Sequence, residues 1–153
     1  MSALLVAGIV LVGLVVGVYW GPWIALTRTI ATFEPAVLLP LVARLSANLA
    51  PVMTVLMPLA LLVVAAVVAV AAFGHPVTLI LGAVAFVLLA LTLVVTIAVE
   101  VPIVKTIESW TVDTLPPDWR ARRDRWVSFH LLRVIPGVVA LALLATAAVT
   151  YPL

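Results

Sequence analysis

The chain has 153 residues, 67% of them hydrophobic and 9% charged, with a formal net charge of +2. A soluble domain of that length has too little interior for so much apolar surface, and a mean hydropathy of +1.41 points to lipid as the solvent. The chain has no cysteine, which excludes disulfides and thiolate metal sites. Its charges are confined to residues 28–44 and 100–133, so the basic excess belongs to loops beside a membrane, not to a nucleic-acid surface.

A spanning helix takes ~20 apolar residues. The sequence therefore reads as one transmembrane domain, residues 1–153: an all-α integral membrane four-helix bundle. Span one covers about residues 3–26. The start of the chain lacks a basic region, and its apolar run is too long for a signal peptide, so it reads as a retained helix. Gly13, Gly17 and Gly21 recur every four residues and share a face, which offers a close contact for a second copy of the chain. Trp20 and Trp23 mark the headgroup level or wall an aromatic pocket.

Span two covers about residues 47–73. Its helix is expected to begin earlier, with Thr32 as N-cap and Glu34 and Pro35 in the first turn. Pro51 and Pro58 should bend it. Arg44 and Asn48, at i and i+4, place a cation and an amide where the helix enters lipid, and such an amide commonly bonds a neighbouring helix. Phe73-Gly-His-Pro76 is a tight turn.

Span three covers about residues 77–104. From Leu45 to Val99 there is no Asp, Glu, Lys or Arg, and then Glu100 appears. It lies five residues before Lys105, hence ~7.5 Å further into the span. A carboxylate there needs a partner or a purpose. Residues 106–117 read as a polar loop, and Pro116, Pro117 and Asp118 read as a helix start.

Span four covers about residues 126–149, with a kink at Pro136. Trp119, Arg123, Trp126, His130, Arg133 and Gly137 fall on one stripe at ~100° per residue. Arg133 either snorkels to the interface or turns inward, and the stripe favours the inward direction. An antiparallel neighbour would bring Glu100 within reach of His130 or Arg133.

Four spans put the charged segments, residues 27–46 and 105–125, on one side. The positive-inside rule makes that side cytoplasmic and puts both termini on the non-cytoplasmic side. His75 and His130 sit at opposite ends of the bundle, and one histidine with one carboxylate does not make a metal site. No metal and no cofactor are expected, although a lipophilic cofactor such as a quinone fits the setting. The expected partners are membrane lipid and a lipophilic small molecule; no nucleic-acid partner is expected.

Gly17-Val-Tyr-Trp-Gly-Pro-Trp23, Asn48-Leu-Ala-Pro-Val-Met53, Glu100-Val-Pro-Ile-Val-Lys105 and the run Trp110, Leu115-Pro-Pro-Asp-Trp119, Arg123, Trp126, His130, Arg133 resemble a bacterial domain-of-unknown-function family. That family of small four-helix membrane proteins is grouped with the fungal anthrone oxygenases. The resemblance implies a multi-pass protein of the bacterial inner membrane. It also implies oxygenase-like chemistry on a lipophilic aromatic substrate in the cytoplasmic half of the bundle. Glu100 or His130 would be the base and Arg133 the anion stabiliser, while Asn48, Arg44, Trp126, Trp20 and Trp23 would bind substrate. Many relatives carry Asn-x-Pro-x-Asn at the end of span three, where this chain has Glu100, Pro102 and Val104. The alternative is a non-catalytic lipid or quinone binder, or an accessory subunit, with Glu100, Arg133 and His130 as a structural polar network.

Overall fold

The computed structural model describes residues 1–26 and 29–151. Arg28, the first charged residue of the segment 27–46, lies outside the described residues. The chain forms α1 (Ser2–Leu26), α2 (Pro35–Ala71), α3 (Pro76–Val95), α4 (Val101–Glu108) and α5 (Trp119–Thr150). A π-helical turn, Thr96–Glu100, joins α3 to α4, so that Pro76–Glu108 is one continuous rod. Short 3-10 turns at Ile30–Thr32 and Val112–Thr114 precede α2 and α5.

The starts of the helices follow proline chemistry. Pro35 opens α2 and Pro76 opens α3, each at a position whose N–H would have no helical partner. Glu34, not Thr32, is the N-cap of α2. Thr32 ends the preceding 3-10 turn instead, its hydroxyl donating to the Thr29 carbonyl at 2.6 Å. Between α2 and α3 the chain reverses through Gly74, whose φ of 116° suits glycine alone. Asp118 is the N-cap of α5 without a side-chain bond to the helix backbone, its carboxylate accepting from Arg122 Nε at 2.9 Å instead, and α5 starts a full two turns before the apolar part of span four.

The helices pack in a ring: α1 against α2 and α5, α3 against α2 and α5. The central core is made of aliphatic side chains from all four rods, among them Val12, Val16, Met57, Val64, Leu89 and Leu144. Two glycines allow close approach. A Cβ on Gly137 would stand 3.2 Å from Val16 Cγ2, and one on Gly82 would stand 3.3 Å from Val68 Cγ2. The face of Gly13, Gly17 and Gly21 is different: a Cβ there would meet nothing within 4 Å. Within this chain it is an open surface.

The outside of the ring is apolar. Val6, Leu14, Val55, Leu62, Ile80 and Val87 are exposed, and Phe73 is 88% exposed. Such a surface is unstable in water and natural in lipid. All four rods are long and apolar enough to cross a membrane. The molecule is an integral membrane protein built as an all-α four-helix bundle.

Candidate functional site

The polar groups of the membrane-spanning region converge at the end of the bundle nearer the charged segments. Two local features aim them. The first is the π turn. Val101 N–H donates to the Thr96 carbonyl, five residues back, and Pro102 just beyond has no N–H to offer the usual carbonyl four residues back. The widened turn carries Glu100 inward, leaving it 3% exposed. Such turns recur at functional positions in helices. The second feature is Pro22 in α1, which interrupts the backbone ladder one turn from the helix end. The Tyr19 carbonyl in that turn accepts a hydrogen bond from another helix.

That bond comes from His130, whose Nε2 lies 2.8 Å from Tyr19 O. A carbonyl only accepts, so Nε2 carries the hydrogen and Nδ1 carries the lone pair. Nδ1 in turn accepts from Arg133 Nη2. The imidazole is thus neutral and engaged at both nitrogens. Arg133 turns inward, its side chain 11% exposed, and the same Nη2 stands 3.0 Å from Glu100 Oε2. Its Nη1 reaches the Thr96 hydroxyl at 3.5 Å, and its Cζ lies 4.9 Å from the centre of the Tyr19 ring, a cation–π contact. Arg133 is the bridge: Glu100 pairs with it directly and meets His130 only through it.

Unused polar atoms remain. Tyr19 Oη, Glu100 Oε1, Trp126 Nε1 and Arg133 Nε are buried without a hydrogen-bond partner among the described residues. The Trp126 indole N–H and the Glu100 carboxylate are neighbours and interact, although their geometry falls short of a full hydrogen bond. All four stand together in this one cluster, and each such group in a native structure calls for an explanation.

The cluster forms the inner wall of a cavity of about 290 Å³. Tyr19 and Trp23 line it from α1, Leu49 and Met53 from α2, Thr96 and Glu100 from the π turn, and Trp126, His130 and Arg133 from α5. Lys105 and Glu108, both exposed, lie along the same cavity at the charged end of the bundle. The walls are otherwise apolar. An apolar chamber with a few converging polar groups is the usual form of a small-molecule site, and this volume is near the lower end of the ~300–1,000 Å³ range.

The stripe on α5 divides by function. Trp126, His130 and Arg133 face the cavity. Gly137, deeper, is the contact with Val16. Trp119 and Arg123, nearer the charged end, are buried against the segment between α1 and α2. There Arg123 donates to the Ala31 carbonyl at 3.3 Å and pairs with Asp124 at 2.8 Å.

Of the residues singled out from sequence, Glu100, His130, Arg133, Trp126 and Trp23 line the cavity. Arg44, Asn48 and Trp20 do not. Arg44 and Asn48 are exposed on the outer face of α2. Trp20 is 42% exposed beside Trp23, their rings 5.3 Å apart. Two contributors were not on that list. Tyr19 supplies a carbonyl, a ring face and a hydroxyl, and Thr96 supplies a hydroxyl. The signal for Tyr19 was its place four residues before Trp23, on the buried face of α1. Among the described residues no group of three His, Cys, Asp or Glu side chains gathers to hold a metal ion.

A family model described as anthrone oxygenase matches residues 49–148. The match takes in Glu100, Trp126, His130 and Arg133 and begins after Tyr19 and Trp23. No curated protein and no solved structure matches the chain.

Proposed function

The chain belongs to the anthrone oxygenase family, and from that premise we propose that it oxidises a lipophilic aromatic carbon acid with dioxygen in the cavity beside Glu100. The observation that carries this reading is the buried Glu100–Arg133 pair at the wall of an apolar chamber. An anthrone-like CH2 group forms a stabilised carbanion, so the protein's task is to remove a proton and hold the resulting charge. Glu100 Oε1, which completes no hydrogen bond among the described residues, is the base. When it takes the proton, the negative charge passes from the carboxylate to the substrate's enolate oxygen. Arg133 then counters the same single charge in a new place. No net charge is created in a medium of low dielectric, which is the costly event such a site must avoid.

His130 is a positioning group in this scheme. Both its nitrogens are occupied, and its lone pair faces a guanidinium, so it is poorly placed to take a proton. It holds Arg133 against Glu100. Trp126 and Trp23 offer aromatic faces for the substrate, which enters from the bilayer. The charged segments face the cytoplasm by the positive-inside rule, in a bacterial inner membrane. Reconstituted protein given anthrone should consume oxygen and form anthraquinone, and Glu100→Gln should abolish this.

A second reading treats the network as structural. Arg133 Nη1 and Nη2 are committed to Thr96, Glu100 and His130, which favours a register-fixing ion pair in a lipid or quinone binder. Under that reading Glu100→Gln lowers stability and leaves bound lipophilic ligand and oxygen uptake without a common dependence on the carboxylate.

A further inference from the structure

Tyr19 is 2% exposed and lines the cavity, yet its hydroxyl has no hydrogen-bond partner among the described residues. A buried hydroxyl left unpaired lowers stability, and native proteins keep few of them. The rest of the residue is in use. Its carbonyl accepts from His130, and its ring lies under the Arg133 guanidinium. The other hydroxyls around the ion pair are also in use: Thr96 donates to the Thr92 carbonyl at 2.7 Å and Thr92 to the Leu89 carbonyl at 2.8 Å. Beside the pair, Tyr19 holds a hydroxyl hydrogen that nothing among the described residues receives.

We propose that the Tyr19 hydroxyl donates its hydrogen to an oxygen of the bound molecule and serves as the proton donor of the reaction. The inference rests on the oxidation proposed above and adds its missing acid. Glu100 takes the first proton from the substrate's CH2 carbon. The carbanion's electron pair forms a bond to dioxygen, so carbon is oxidised and dioxygen becomes a peroxide anion on that carbon. Tyr19 protonates the terminal peroxide oxygen, and the proton on Glu100 returns to the tyrosinate. Glu100 then takes the second proton from the same carbon. The C–H electrons become the carbonyl π bond, the O–O bond breaks, and the leaving hydroxide takes the Tyr19 proton and departs as water. Glu100 again returns its proton to Tyr19. The sum is CH2 plus O2 giving C=O plus H2O, with both side chains restored. Tyr19 precedes the stretch matched by the family model, so the role is read from α1 of this chain itself.

Tyr19→Phe removes that residue's own unpaired atom and keeps the ring, the cation–π contact and the carbonyl. The full-length protein in mild detergent is titrated with anthraquinone, with tryptophan quenching as the signal, because Trp23 and Trp126 line the cavity. Its thermal midpoint and anthrone-dependent oxygen uptake are measured alongside. The midpoint should hold or rise, anthraquinone affinity should fall by about tenfold, and uptake should fall by about a hundredfold. A raised midpoint with unchanged affinity and uptake overturns the proposal and leaves Tyr19 a structural residue. If the wild type takes up no oxygen but Tyr19→Phe still loses anthraquinone affinity, the donor contact stands and the oxidation falls. A wild type that binds no anthraquinone overturns both. Should Tyr19→Phe fail to fold, 3-fluorotyrosine at the same position, a stronger donor of the same shape, must tighten anthraquinone binding; unchanged affinity overturns the contact.

Discussion

Arg133 on α5 and Glu100 in the π turn form an ion pair of 3.0 Å with side chains only 11% and 3% exposed. Both charges have left water, and each is tolerable only because of the other. Breaking such a pair from one side is costly, while replacing both partners with apolar groups can be neutral or favourable. Stability and function should therefore separate in a pair of variants.

Glu100→Gln leaves Arg133 buried without its counter-ion and should destabilise the bundle by about 3–5 kcal/mol. The double variant Glu100→Gln with Arg133→Met should recover most of that loss. Thermal unfolding in detergent measures both. A double variant as unstable as the single one would mean that the pair does not carry the effect.

His130 is tied to Tyr19 O and to Arg133, so its loss should act through Arg133. His130→Ala should slow turnover less than Glu100→Gln, whose loss as general base is worth ~10² or more. Rates measured on the two variants under identical lipid conditions decide this. A His130→Ala protein as inactive as Glu100→Gln would make the imidazole the base.

Two glycines of similar appearance should respond in opposite ways. Gly137→Leu forces a side chain against Val16, where even a Cβ would stand at 3.2 Å, and overpacking of this kind costs about 1–3 kcal/mol. Gly17→Leu meets open space and should leave the thermal midpoint of the monomer unchanged. Circular dichroism melts of the two variants test the contrast directly.

The absence of cysteine makes sidedness accessible to labelling. Asp113→Cys, in the exposed loop before α5, should react with an impermeant maleimide only in inside-out vesicles. Phe73→Cys, at the 88% exposed turn between α2 and α3, should react only from the opposite face. The reverse pattern would put the charged segments, and the cavity with them, on the outer side.

The bundle was readable from sequence because lipid imposes a length on every apolar run. The orientation of each residue was readable only where polar side chains marked it. On α5 the spacing of Trp126, His130 and Arg133 gave the inward stripe. On α2, where lipid-facing and core-facing positions are equally apolar, nothing in the pattern distinguished the face of Asn48 from the face of Leu49. Asn48 proved to be exposed and Leu49 to line the cavity. Trp20 and Trp23 looked alike in sequence, yet they point about 60° apart at 100° per residue, enough to leave one outside and bring the other in. The π turn was hidden in the same way: Pro102 lacks the N–H of a regular helix, and the rod takes up that loss in a wider turn at Thr96–Glu100.

Oxygen uptake by the protein reconstituted in lipid nanodiscs and supplied with anthrone goes to the heart of the proposed chemistry. The wild type should consume one dioxygen per anthraquinone formed, and Glu100→Gln should do neither while still folding as four helices. Equal uptake by both proteins, or none by either, would contradict a role for Glu100 as the base.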